Sequence, residues 1–517
     1  MRIIDFFDNG ATLYPDNKAF VDDTGCISYA EADAQVHKIA AAIRGHGYNK
    51  GTHIGILAPN SSVSFVTLLG VFRAEGVWLP INPRNPVPVN ADLLDRFECE
   101  LLFYHSSHAS EAEQLMVDAP AINEAICIDG SGTVGAPLAE WMSGQPDRCH
   151  PGPQQDDDLF GIFPTGGTTG KSKGVMISHK NIEAMFAHMW AHFHYYDNTN
   201  HLVVAPMTHT AGLFGCLHFS RGGTNTIMAA ADPGKVLEMI DKHDITHLFL
   251  PPTVLYMMLS HEKLNQYDYS SLQHFFVAAA PTSLEKLKQA IKVFGPVMSE
   301  VFGQTEAPAT ITLKAPWDYM DKAGNIIESR LATVGRPGVF NRVAILDEKG
   351  NQQPYGCLGE ICIHGDLVTP GYYKNPKATA EVRQFGWHHT GDIGVITEEG
   401  FVQIIDRKKD MIITGGFNVF PNEIEQLLSQ HPAVQDCAVF GIPDEKWGES
   451  VKGVVQLNPG AETTAEELIA LAKEKLGSVK APKSIEFILE LPRSPVGKVL
   501  KTELRRPYWS GRDKGVA

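Results

Sequence analysis

Short apolar runs alternate with helical stretches along most of this chain. His53–Ala58, Val77–Ile81, Leu101–Tyr104 and Ala125–Ile128 are such runs, and His201–Ala205, Thr246–Leu250 and Phe275–Ala279 repeat the texture further on. They are predominantly apolar and do not alternate regularly with polar residues, so each predicts a largely buried strand. Between them, Ile27–Gly47 and Asn60–Glu75 read as helices. Ser28 stands as an N-cap with Glu31 three residues later, and apolar residues recur at helical spacing through Ile39 and Ile43. Strands buried on both faces need helices on both sides, so the alternation predicts an α/β architecture with largely parallel sheets.

The texture changes twice. Met142–Asp158 is rich in Gly, Pro, Gln and Asp and reads as an exposed connection. From Arg342 onward the strands shorten and alternate (Val343–Leu346, Gly359–His364, Phe401–Ile405), predicting a β-rich part. The charged run Arg407–Asp410 then precedes a compact tail with its own helices at Asn422–Gln430 and Ala465–Leu476. At roughly 100–200 residues per domain, 517 residues require more than one. The expected division is a large N-terminal domain over 1–408, and a small mobile α+β domain over 409–517.

Charge and cysteine usage exclude several classes. Lys plus Arg is 44 against 60 for Asp plus Glu, a formal charge of −16, and 43% of the residues are hydrophobic. Such an acidic surface does not suit nucleic acid or anionic lipid, so neither is expected as a partner. The opening Met1–Asp8 carries acidic residues where a signal peptide needs an apolar run, and no stretch approaches the roughly 18 apolar residues of a membrane span. The default address is therefore cytoplasmic. The eight cysteines are scattered, and the nearest pair, Cys357 and Cys362, has no second pair or histidine cluster to complete a zinc site. His192 with His194, and His388 with His389, likewise lack a third ligand at helical spacing.

The chemistry concentrates in Phe163-Pro-Thr-Gly-Gly-Thr-Thr-Gly-Lys-Ser-Lys-Gly174. Glycines let backbone N–H groups converge on a phosphate, threonine hydroxyls add donors and lysines add charge. A plain flexible turn needs none of those three threonines and two lysines. Gly170-Lys171-Ser172 resembles the end of a Walker A motif, but Thr165 stands where the opening glycine belongs. The following Gly174–Ser178 reads as a strand, whereas a Walker loop runs into a helix. The segment therefore predicts a hairpin-like phosphate loop.

This loop resembles the phosphate-binding signature of the adenylate-forming superfamily, which includes acyl-CoA synthetases, adenylation domains of peptide synthetases and luciferases. Gly166 stands where that signature usually has serine, and Ser172 where proline is common. The resemblance continues in the family's order. Val301-Phe-Gly-Gln-Thr-Glu306 is similar to the family's Tyr-Gly-x-Thr-Glu motif, Gly386-Trp-His-His-Thr-Gly-Asp392 to its Trp-x-x-Thr-Gly-Asp, Asp406-Arg-Lys-Lys-Asp410 to its hinge, and Pro492-Arg-Ser-Pro-Val-Gly-Lys498 to its catalytic-lysine motif. The resemblance implies that Thr165, Gly166, Gly167, Thr168, Thr169, Gly170 and Lys173 hold the phosphates of ATP. It further implies that Phe302 stacks on adenine beside Gly303, Thr305 meets the α-phosphate, Glu306 binds Mg²⁺, and Asp392 and Arg407 meet the ribose. Lys409 would be the pivot and Lys498 the catalytic lysine.

The reaction so implied begins with a carboxylate attacking the α-phosphorus of ATP. Both partners are anionic, so the site must cancel repulsion by positioned charge, not by covalent catalysis. In the second step the small domain turns about its hinge and coenzyme A takes the acyl group. Thr414-Gly-Gly-Phe-Asn-Val-Phe-Pro-Asn-Glu-Ile-Glu425 would form the new face, with Gly415 and Gly416 either admitting the pantetheine arm or simply making a tight turn. His209, in Pro206–Phe214, falls at the family's acyl-pocket motif, with Phe214, Ala278, Ala279 and Ala280 as expected pocket residues. A lone histidine there is either a gate or structural. Residues 206–216 contain no Asp or Glu to pair with an α-ammonium, which argues for an apolar acid over an amino acid.

Three readings compete with a CoA ligase. The acyl group could go to a carrier protein, although Asn418 and Phe440–Glu449 are more similar to free-standing CoA ligases. A P-loop NTPase fails on the register and on the missing helix. A non-catalytic nucleotide binder fits poorly with the presence of both Glu306 and Lys498. A homodimer is compatible with the sequence.

Overall fold

The computed structural model describes residues 1–130, 132–165, 172–195, 198–208, 210–278, 280–493 and 499–509. Four sheets organise them. Two large sheets carry the apolar runs. In the first, Leu159–Pro164, Val77–Pro80, His53–Leu57, Leu101–Tyr104, Glu124–Cys127 and Ala136–Pro137 lie parallel, and Gly174–Ser178 and Gly371–Tyr372 extend one edge antiparallel. In the second, Met298–Gln304, His274–Val277, His247–Leu250, Asn200–Val203, Thr224–Ile227 and Lys18–Asp22 run parallel, with antiparallel strands at both edges. The expected parallel centres are present, and the hairpins close the edges.

The local signals explain where the helices begin. Ser28 accepts a bond from the Glu31 N–H at 3.2 Å while the Glu31 carboxylate accepts from the Ser28 N–H at 2.8 Å, so the helix runs Tyr29–Gly45. Ser178 caps the helix His179–His192 with Asn181 in the reciprocal role. Both large sheets and the helices between them share one core that includes Phe65, Phe72, Phe160, Phe186, Phe214 and Phe276.

A third sheet supplies the β-rich part: Arg342–Leu346, Gly359–His364, Trp387–Ile396, Arg383–Gln384 and Val402–Arg407. The fourth takes every strand from beyond residue 411: Ile412–Thr414, Phe417–Val419, Val434–Asp444, Gly448–Leu457 and Ser484–Phe487. It has its own core of Ile412, Ile424, Leu428, Val439, Val451 and Leu468. The chain is thus a large N-terminal α/β domain followed by a smaller C-terminal one. No helix among the described residues is long and apolar enough to cross a membrane.

Candidate active site

The strand after the Gly/Thr loop is real: Gly174–Ser178 pairs antiparallel with Leu159–Pro164, and no helix starts before His179. The loop's neck is tied three times. Thr165 N–H donates to the Lys173 carbonyl at 2.8 Å, Lys173 N–H to Thr165 Oγ1 at 3.1 Å, and Ser172 Oγ to the Thr165 carbonyl at 2.6 Å. Gly166, Gly167, Thr168, Thr169 and Gly170 lie outside the described residues, as do His209, Ala279 and Lys498.

From this neck a continuous chain of contacts runs through the other motifs. Lys173 Nζ stands 4.8 Å from the centroid of the Tyr372 ring. Tyr372 Oη donates to Glu306 Oε1 at 2.7 Å. Burial and the adjacent Glu306 charge raise the Tyr372 phenol above its ordinary pKa, so it stays a donor. Glu306 and Thr305 form the two-residue turn between Met298–Gln304 and Ala307–Lys314. Gln304 Nε2 then reaches the Thr390 carbonyl at 3.3 Å, joining this hairpin to the Thr-Gly-Asp segment. Two residues on, Asp392 faces Arg407 in register on the neighbouring strand, with Arg407 Nε 2.7 Å from Asp392 Oδ1. Asp392 is buried while the Arg407 side chain is half-exposed, so the pair presents its basic end outward.

Phe302 is half-buried on the strand before the turn and packs against the core. Gly303 has a steric reason of its own: a Cβ there would lie 2.4 Å from the Ala309 backbone N, because the facing strand bulges where Ala309 takes a φ of 52°. Lys409 is exposed in the turn just after Val402–Arg407, where partial desolvation by the surrounding chain lowers its pKa. Asp406 is buried and shifted upward by desolvation. It accepts the Asn422 N–H at 2.8 Å, anchoring the first C-terminal helix to the end of the third sheet.

Other predicted residues sit apart from this chain. Gly415 and Gly416 form a two-residue hairpin turn with φ of 58° and 81°, the left-handed values such a turn requires. A Cβ on Gly415 would meet the half-exposed Trp447 ring at 2.7 Å. Phe214 is fully buried against Phe249 and Phe276, ring centroids 5.3 and 5.0 Å away. Ala278, two residues beyond Phe276, is half-buried, and Ala280 is exposed.

The sequence reading missed Tyr372. No motif marks it, and it reaches Glu306 only because the short strand Gly371–Tyr372 pairs with Gly174–Ser178.

Comparison with known proteins decides the family. The AMP-binding enzyme family matches residues 7–373, and the AMP-binding enzyme C-terminal domain matches 423–498. The chain belongs to the AMP-binding enzyme family. It is 38% identical over 512 residues to the medium/long-chain-fatty-acid–CoA ligase FadD8 of Mycobacterium tuberculosis, covering 96% of this chain and 88% of that protein. It is 31% identical to a feruloyl-CoA synthase of an Amycolatopsis species, covering 93% and 94%. Among solved structures, ATP-bound MatB from Rhodopseudomonas palustris superposes with a TM-score of 0.87 at 28% identity, covering 98% of this chain and 99% of that one. Apo MatB, at the same 28% identity, reaches only 0.78.

Proposed function

We propose that this protein is an ATP-dependent acyl-CoA ligase that adenylates an apolar carboxylic acid (fatty, aromatic or alicyclic) and passes the acyl group to coenzyme A, releasing AMP and pyrophosphate. The observation that carries this reading is the unbroken contact chain from Lys173 through Tyr372, Glu306, Gln304 and Thr390 to Asp392 and Arg407. It places a cation at the neck of a glycine-rich loop, a carboxylate at a hairpin tip, and an Asp–Arg pair along one path. That is the order in which triphosphate, α-phosphate and ribose occur in ATP.

Lys173 and the loop hold the triphosphate, and Thr305 donates to the α-phosphate. Phe302 stacks on the adenine. Asp392 accepts from the ribose hydroxyls and Arg407 donates to them. Glu306 suits Mg²⁺: it is a hard oxygen donor at a turn, and Tyr372 holds one carboxylate oxygen and so orients the other. Bound Mg²⁺ would screen the phosphate charge. Lys498 neutralises the substrate carboxylate as it approaches the α-phosphorus, and preorganised charges of this kind contribute about 10²–10³ in rate. The N-terminal unit ends at Lys408, and rotation about Lys409 brings the Gly415–Gly416 turn to the acyl-adenylate. Ala278 and Phe214 contribute to the acid pocket, and His209 belongs to the same pocket motif.

The test is pyrophosphate release from ATP and Mg²⁺ over a panel of fatty, aromatic and alicyclic acids, with and without CoA, with products identified by mass. Acid-dependent pyrophosphate, with acyl-CoA forming only when CoA is added, supports the reading. Acyl-AMP without thioester would move the acceptor to a carrier protein. Acid-independent phosphate release would overturn adenylation.

A further inference from the structure

The third sheet carries a buried carboxylate that no motif predicted. Glu360, on Gly359–His364, is only 8% exposed. Its Oε1 accepts the Gly391 N–H at 3.0 Å, and its Oε2 meets His389 Nδ1 at 3.0 Å and Lys408 Nζ at 3.1 Å. The Gly391 carbonyl in turn accepts the Lys408 N–H at 2.9 Å. Glu360 and Lys408 therefore grip Gly391 from both sides, through its N–H and its carbonyl. Gly391 sits between Thr390 and Asp392, and Lys408 sits between Arg407 and Lys409.

The strand pairing is irregular here: the register between Gly359–His364 and Trp387–Ile396 shifts between Glu360 and Cys362. Thr390, Gly391 and Asp392 consequently lose regular pairing with Gly359–His364 and find other partners there, while Asp392 stays in register with Arg407 on the other side. Thr390 Oγ1 donates to the Ile361 carbonyl at 2.7 Å and accepts the Asp392 N–H at 3.1 Å, and Glu360 accepts the Gly391 N–H. Burial disfavours the Glu360 charge, but the bonds from His389 and Lys408 outweigh it and hold the carboxyl below its ordinary pKa. A buried carboxylate with three donors is a rigid fixture, not a solvated surface charge.

We infer that Glu360 is a positioning residue for both half-reactions: through Gly391 it sets the Asp392–Arg407 ribose clasp, and through Lys408 it anchors the chain immediately before the Lys409 pivot. The inference rests on the ligase reading above. With Lys408 held, rotation is confined to Lys409 and the residues after it, and the C-terminal domain swings about a fixed point. With Lys408 free, that domain samples misaligned orientations, and the thioester arrangement is populated less often.

Three variants separate the arms. Glu360→Gln keeps a carbonyl oxygen for the Gly391 N–H but turns an amide NH₂ toward Lys408, whereas Glu360→Ala removes both. ATP affinity is measured by calorimetry without any acid, so that it does not depend on turnover. Thioester formation is measured in a single turnover from preformed acyl-AMP. Glu360→Ala is expected to weaken ATP binding about tenfold, the usual effect of losing a charge-assisted bond, and to slow thioester formation about as much. Glu360→Gln is expected to hold ATP within about twofold of wild type and to slow only the thioester step. Lys408→Met should match Glu360→Gln. Wild-type values for Glu360→Ala in both assays would overturn the inference. So would an equal loss in every step that tracks a fall in the unfolding midpoint, since that is a merely structural role. If the wild-type enzyme itself binds no ATP, the ligase reading fails first and this inference with it; if it binds ATP but turns over none of the acids tried, the calorimetry still decides the clasp.

Discussion

A row of buried histidines gives a sharp prediction about pH and stability. His201, His247 and His274 lie side by side on three adjacent parallel strands, with Asn225 next in register beyond His201. His218 packs over them, its ring centroid 5.4 Å from His201 and 4.9 Å from His247. His201 is fully buried with neither ring nitrogen bonded in the structure, and desolvation takes its pKa down to about 3. The unfolded chain holds the same imidazole near its ordinary value of about 6.5. Above that pH both states are neutral, and protonation does not affect stability. As pH falls below about 6.5 the unfolded state takes up a proton that the folded state refuses, and stability is lost until the folded pKa is reached. Between pH 6.5 and 5.0 that is about 1.5 units at about 1.4 kcal/mol each, or about 2 kcal/mol from His201 alone. His201→Leu removes the titration and fits the apolar surroundings. Its advantage over wild type should therefore be about 2 kcal/mol larger at pH 5.0 than at pH 7.5, read as paired urea unfolding curves at both values. An equal difference at the two pH values would refute the argument, because it would mean that the ring is already protonated or solvated in the folded protein.

Other perturbations test the site and its supports. Tyr372→Phe removes the donor to Glu306 Oε1 and should slow acyl-AMP formation about tenfold while leaving the KM for the acid unchanged, in a pyrophosphate-release assay. Lys498→Ala should lower acyl-AMP formation by about 10²–10³ yet leave thioester formation from supplied acyl-AMP within a few-fold; equal losses in both would remove Lys498 from the first step. Gly303→Ala places a Cβ 2.4 Å from the Ala309 backbone and should reduce soluble expression or lower the melting midpoint, even though nothing is lost chemically. Gly415→Ala combines a φ of 58° with a Cβ 2.7 Å from Trp447, whereas Gly416→Ala at a φ of 81° meets open space. The first should be the more destabilising and should slow the thioester step more; the reverse order in a thermal melt would contradict the packing at Trp447.

What could be read from the sequence follows from the range of the forces involved. Ser28 with Glu31, and the apolar run Leu101–Tyr104, are satisfied within a few residues, so their elements begin and end close to where local chemistry places them. The hairpin reading of Phe163–Ser178 succeeded for the same reason, since a strand and not a helix follows the glycines. Asp392 and Arg407 were named by motif, but nothing local says that they touch; that depends on the register of two antiparallel strands. Glu360 and Tyr372 were invisible. Glu360 reads as one more polar residue in a short strand, and its contact with Gly391 depends on a register shift that breaks the pairing of Thr390–Asp392 with Gly359–His364. Tyr372 lies 66 residues from Glu306, on a two-residue strand too short to carry any periodicity. His201, His247 and His274 were equally hidden, because an imidazole near the start of a strand carries no sign of whether its neighbours in register are water-exposed or other imidazoles. Motifs identify groups able to do the chemistry. Which oxygen of Glu306 is held, and whether Lys408 is anchored, is settled by strands that meet only once the sheets have formed, so those details follow from tertiary pairing and not from spacing along the chain.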